Sequence, residues 1–168
     1  MLGTNTNTQT GGGLTFLNFK DGKIVKRNGL LADEYDFVEG TLGKIFQKER
    51  DFNGERVLYW YIVLQDEKGE NFALSFPYNS GVFKSIVLSL ASDKTIGLSN
   101  KIRIDSYLKD GKTKVVVRNG ANKLDWITRD LPPVNEVNIG GKIVKDESAR
   151  MELISHYVGE INGLLGAG

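Results

Sequence analysis

Tyr59 and Tyr61 stand two residues apart in an uncharged run, Val57-Leu58-Tyr59-Trp60-Tyr61-Ile62-Val63-Leu64. Cations and further aromatics recur around it: Lys44, Arg50, Phe52 and Arg56 nearby, and Arg103, Tyr107, Lys109, Lys112, Lys114, Arg118 and Trp126 further on. Aromatic faces stack on flat groups, and lysine and arginine neutralise anions, so this set suits a flat, polyanionic ligand. Other chemistry is poorly supplied. His156 is the sole histidine and there is no cysteine. That removes disulfides, thiolate metal sites and Cys nucleophiles, and offers no His-based dyad or metal cluster. Gly140-Gly141-Lys142 and Gly40-Thr41-Leu42-Gly43-Lys44 are only fragments of a phosphate-cradling loop. The adjacent carboxylates Asp33-Glu34, Asp66-Glu67 and Asp146-Glu147 fall where turns or a helix start account for them. No enzymatic activity, metal or cofactor is expected.

Charge narrows the reading. The 168 residues carry a net charge of +1, so affinity for a polyanion has to come from segregation. Between Lys101 and Arg129 eight basic residues stand against three acidic ones. Acid gathers elsewhere, at Asp33, Glu34, Asp36 and Glu39 and at Asp146, Glu147, Glu152 and Glu160. No apolar run approaches the ~20 residues of a membrane span. The first 13 residues are polar and Gly-rich rather than signal-like. The lack of cysteine fits a reducing cytoplasm, which is the expected location.

The elements that must position these residues follow from alternation and turn chemistry. Residues 1–13 read as a disordered tail. Lys20-Asp21-Gly22-Lys23 joins two apolar runs as a basic hairpin. Residues 30–36 read as an acidic connecting loop. Phe37–Gln47 is a first long strand, with Gly40 and Gly43 as bend or bulge sites. Gln47–Arg56 reads as a charged loop around Asn53-Gly54, Val57–Leu64 as the second strand and Asn71–Phe76 as the third. Asn79 or Ser80 caps a helix over Val82–Ala91. Lys101–Leu108 and Thr113–Arg118 are the fourth and fifth strands, joined at Asp110-Gly111. Beyond a domain spanning 14–130, residues 131–145 form a linker or extra strand, and 146–168 a C-terminal amphipathic helix. Gly-Lys-Ile-Val-Lys occurs twice, at 22–26 and 141–145.

Strand, strand, strand, helix, strand, strand over residues 37–118 resembles the OB-fold, a five-stranded Greek-key barrel with a helix between strands three and four. The resemblance is one of architecture, not of a sequence motif. It implies a ligand groove across strands two and three, flanked by loops 47–56 and 108–113. The chain resembles the small OB-fold single-stranded DNA-binding proteins encoded by bacteriophages. That implies sequence-tolerant binding of single-stranded DNA, with RNA left open, in DNA replication or recombination, alongside proteins of those processes. The acidic, phenylalanine-ended tail that many such proteins use for recruitment is not found in this sequence. The basic hairpin and the C-terminal helix fall outside the barrel on this reading, the helix packing on it or pairing subunits into a homo-oligomer.

Other readings stand beside it. Tyrosines in strands are often packed, and Tyr59 and Tyr61 line either a second packed surface or a stacking platform. Trp60, with Leu58, Ile62 and Leu64, is assigned to the barrel interior, and a parity error of one residue would exchange it for the tyrosines. A non-enzymatic structural or assembly protein, for example a virion component, would use the same aromatics as interface anchors. An oligosaccharide-binding module would stack tyrosines too, but sugars give no reason for a cationic rim.

Overall fold

Alternating side chains and two-residue turns set the strands. The computed structural model describes residues 14–28, 31–96, 100–125, 135–146 and 148–166. In chain order the elements are β1 (Leu14–Lys20), β2 (Lys23–Asn28), β3 (Leu31–Tyr35), β4 (Phe37–Phe52), β5 (Glu55–Gln65), β6 (Asn71–Pro77), α1 (Gly81–Ala91), β7 (Ile102–Lys109), β8 (Lys112–Asn119), β9 (Asn122–Leu124), β10 (Asn135–Ile139), β11 (Lys142–Asp146) and α2 (Ser148–Gly166). Asp21-Gly22, Asn53-Gly54 and Asp110-Gly111 turn β1–β2, β4–β5 and β7–β8 with positive φ at both residues, the geometry that matches strand twist. Ser80 is the cap of α1, its hydroxyl accepting from the Phe83 N–H.

The protein is mainly β, with two helices and one mixed sheet of nine strands in the order β3-β2-β1-β6-β5-β4-β7-β8-β9. All neighbours are antiparallel except β1 and β6. Three expectations are corrected. Residues 31–35 are strand, not loop. Residues 47–56 are not a loop either, since β4 and β5 stay paired to Phe52 and Glu55 and form a two-stranded arm. The basic hairpin β1–β2 does not stand apart. Its β1 runs parallel to β6, Leu14 to Asn18 against Asn71 to Ser75. Among the described residues Thr113–Arg118, within β8, pairs with β7 and β9 rather than with β6.

β4 changes partner along its length. Phe37–Gly40 pairs with β7, and Thr41–Phe52 with β5. Gly40 sits at the exchange, where a Cβ would lie 2.7 Å from the Gln65 carbonyl oxygen. The bulge follows between Leu42 and Lys44, at the expected glycine, Gly43. Past the reach of β7, side chains take over the vacated edge. The Leu42 N–H donates to Asn100 Oδ1 (2.7 Å). Asn162 of α2 bonds Ile45 twice, Oδ1 accepting from its N–H (3.0 Å) and Nδ2 donating to its carbonyl (2.8 Å). The β1–β2 turn abuts the β7–β8 hairpin, with the Gly22 N–H donating to Thr113 Oγ1. A Cβ on Gly22 would lie 2.6 Å from the Leu108 nitrogen, so no other residue fits there.

The core lies between the sheet and the helices. Trp60, Ile62 and Leu64 point into it with Leu17, Ile24, Ile45, Phe72, Leu74 and Phe76. The parity expected for β5 is therefore correct, except that Leu58 is exposed on the arm. Phe83 of α1 stacks on Trp60 at 4.8 Å and lies 5.5 Å from Phe76. α2 buries Met151, Ile154, Val158 and Ile161 against α1 and β4, so its apolar stripe is used within the chain. No helix among the described residues is long and apolar enough to cross a membrane. Residues 131–134, most of the predicted linker's first part, lie outside the described residues, and β10–β11 follows as a separate hairpin.

The Asn162 clamp gives a stability prediction. Asn162→Ala leaves an N–H and a C=O of Ile45 without their partner, and each such loss costs about 1–3 kcal/mol. Urea denaturation is expected to show a lower midpoint with α2 loosened first, read by hydrogen exchange. An unchanged midpoint would show that the clamp is not what seats α2.

Candidate nucleic-acid interface

Strand register gathers aromatics on the outward face of β4, β5, β6 and β1. Phe46 is paired with Tyr61, Tyr61 with Ser75, and Phe16 with Ala73. Paired residues project to the same face of a sheet. Phe46 stacks on Tyr61 at 5.2 Å between centroids and 20° between planes, and Phe16 meets Tyr61 edge-on at 6.1 Å. Tyr61 is only 3% exposed, so it does not offer a free face as expected; it is the packed support of the cluster. Phe16, 52% exposed, and half-buried Phe46 carry the accessible rings. Ser75, beneath them, is buried with its hydroxyl unpartnered among the described residues.

Cations line this face along alternate positions of β4. Lys44 Nζ lies 5.0 Å from the Phe46 ring centroid, and the Arg50 guanidinium 5.4 Å from that of Tyr59, which is half-buried. Lys48 is paired with Tyr59 and exposed. The opposite face of the arm has the other sign. Glu49, Asp51 and Arg56 lie there, Arg56 within 3.7 Å of Glu49. Arg56 therefore does not join the tyrosine face. Phe52 pairs with Glu55 through its backbone. The Phe52 side chain and Trp126 lie outside the described residues.

The other expected residues also share one face. On β7 and β8 the partners Arg103–Arg118, Asp105–Val116, Tyr107–Lys114 and Lys109–Lys112 all point away from the core, which takes Ile102, Ile104 and Val117. Lys123 of β9, paired with Arg118, extends the row. Asp105 sits between the two arginines. Arg103 Nε and a terminal nitrogen reach it at 3.2 and 3.0 Å, and Arg118 at 3.1 Å. Its hydrogen bond raises Arg103 above the ordinary guanidinium pKa, against the opposing pull of desolvation, so this arginine stays charged. Arg103 also lies 3.8 Å from the Phe37 ring centroid. Tyr107 at the hairpin's far end is exposed, as are Lys109, Lys112 and Lys114.

β4 links the two surfaces, because Phe37 and Glu39 beside β7 and Phe46 beside β5 lie on its outward side. Sequence reasoning missed Phe16, Phe46 and Lys48. The signal for the last two was available in the alternation Lys44, Phe46, Lys48, Arg50. Phe16 needed the parallel pairing of β1 with β6.

A different environment surrounds the groove of about 620 Å³ beside the β8–β9 turn, lined by Asp93, Thr95, Lys101, Asn119 and Lys123. Burial pushes Asp93 up, but hydrogen bonds from Thr95 and Asn119 outweigh it and leave its pKa below the ordinary value. His156 lies on the exposed side of α2, 3.0 Å from Glu160. The described residues contain no group of three or more His, Cys, Asp or Glu placed to hold a metal ion. Comparison with protein-family models, with curated proteins and with solved structures finds no match to the chain.

Asp105 gives a prediction of definite sign. In Asp105→Ala two arginines face each other across β7 and β8 with nothing between them. Like charges directly opposite are unfavourable, and partly exposed pairs are worth about 1 kcal/mol. Thermal melts are expected to show destabilisation that shrinks at high salt. A loss independent of salt would assign Asp105 a packing role instead.

Proposed function

We propose that the protein binds single-stranded DNA with little sequence preference, in replication or recombination. Bases stack on Phe16, Phe46 and Tyr59, and Lys44, Lys48, Arg50 and the cations of β7–β8 neutralise phosphates. The observation that carries this reading is the meeting of accessible aromatic rings and cations on one outward face of β4–β5–β6–β1. Stacking tolerates any base because every base has a π-face, and a cationic rim follows the backbone regardless of sequence. Sugars would use the rings but not the charge.

An OB-fold-like barrel belongs to this proposal. In support, β3 and β4 are one stretch interrupted only at Asp36, so the pairings β4-β5-β6-β1-β2-β3 start and finish on the same length of chain. β4, β5 and β6 then act as the first three barrel strands, with α1 after the third. The aromatic face has its rings on strands one and two and on β1, and overlaps the face of strands two and three, where such barrels present their ligands, at strand two. β1–β2 would close the ring at β6, with β7–β8 joined at β4 and turning its cations to the outward side. The resemblance to phage-encoded single-stranded DNA-binding proteins is part of the same proposal.

Anisotropy titration of labelled oligo-dT at two salt concentrations tests it, with the same RNA sequence as a second probe. Affinity is expected to fall with salt, with a slope near −0.7 per phosphate neutralised. Phe46→Ala and Tyr59→Ala are each expected to weaken binding by about 1–3 kcal/mol, roughly 5- to 150-fold. Asp105→Asn, which removes an acid from the basic face, is expected to tighten it. No binding at low salt would overturn the proposal and favour an assembly role for the same aromatics.

A further inference from the structure

The repeated pentapeptide occupies the same place in two hairpins. In β1–β2, Lys23 to Val25 pairs with Lys20 to Asn18 across the turn Asp21-Gly22. In β10–β11, Lys142 to Val144 pairs with Ile139 to Val137 across Gly140-Gly141. Both turns have positive φ at both residues. Only the surroundings differ. β2 lies between β1 and β3, and its Ile24 is fully buried. Among the described residues β11 pairs with β10 alone, and the equivalent Ile143 is 68% exposed, as Ile139 is at 63%. Among the described residues neither β10 nor β11 makes more than marginal contact with another element. A two-stranded hairpin alone is marginal in water, and an open edge with exposed apolar residues is a template for another strand.

The chain itself displays what this sequence pairs with. Along β2, Ile24, Val25 and Lys26 lie against Tyr35, Glu34 and Asp33 of β3. Among the described residues β3 is also a terminal strand of the large sheet, with β2 along one edge and no strand along the other, where Leu31 is 76% exposed. The other terminal strand, β9, is three residues long and basic at Lys123, a poorer match for a segment with two lysines. We propose that hairpin β10–β11 is a self-association element, and that β11 of one copy adds to the open edge of β3 in a second copy. Lys145 then falls opposite Asp33, as Lys26 of β2 does within the chain. The contact joins two different patches, so it is head-to-tail, and it needs no nucleic acid.

Sedimentation equilibrium of the full chain without nucleic acid tests this. The wild type is expected above its monomer mass of 18.6 kDa, increasingly so with concentration. The double substitution Ile139→Asp, Ile143→Asp changes only exposed positions. It is expected to give a monomer with an unchanged melting temperature. Because the chain has no cysteine, single cysteines locate the acceptor. Under a mild oxidant, mixing Val144→Cys with Glu34→Cys, or Lys145→Cys with Asp33→Cys, the register positions of Val25–Glu34 and Lys26–Asp33, is expected to yield a mixed disulfide dimer. A wild type monomeric at all concentrations, or association that survives the double substitution, would overturn the proposal. Association without a mixed disulfide in either pairing would rule out β3 as the acceptor.

Discussion

The edges of β4 are the constraint on which the other elements depend. A strand has two edges, and every N–H and C=O on a buried edge needs a partner. β4 meets this with β7 at its start, β5 over the rest, and side chains where β7 has left. Asn100 and Asn162 supply the amides that a neighbouring strand would otherwise supply at Leu42 and Ile45. One of them comes from the loop after α1 and the other from α2. Satisfying β4 therefore also fixes where α2 lies, and the apolar stripe of α2 follows its asparagine onto α1 and β4.

The same strand organises the charge. Its outward positions put lysine and arginine beside the rings of Phe46 and Tyr59, while the other face of the arm holds Glu49 and Asp51. On β7–β8 the segregation is sharper, six cations with Lys123 counted and one carboxylate on the outward side. Asp105 offsets the repulsion where two arginines are forced opposite each other, and leaves the lysines nearer the turn uncompensated by it. Strand parity thus gathers cations on the outward side of a near-neutral chain, with Glu39 and Glu55 among them.

Much of this was legible from local pattern, and the limits were physical. Alternation placed Trp60, Ile62 and Leu64 inward, Asp-Gly and Asn-Gly marked the turns, and the pair Asn79-Ser80 marked the helix start. Each of these is set by neighbours in sequence. The parallel pairing of β1 with β6 is not, since nothing within 14–20 states that residues 71–75 are its partners. Phe16 was hidden for that reason. Tyr61 lay on the expected face, but its burial comes from Phe16 and Phe46 on two other strands. The arm reads as a loop from sequence because charge masks alternation when neither face is buried. Asn162 carried no signal, being one polar residue on a helix with Gly163 beside it.

On the proposed function, the outward face of β4–β5–β6–β1 takes the bases. Chemical-shift mapping of aromatic and backbone resonances during titration with an unlabelled oligo-dT reads this surface residue by residue. The largest changes are expected at the rings of Phe16, Phe46 and Tyr59 and at Lys44 and Lys48, with smaller ones along Lys109–Lys114 and none at Trp60. Shifts confined to other surfaces, with those three rings unaffected under saturating oligonucleotide, would contradict it.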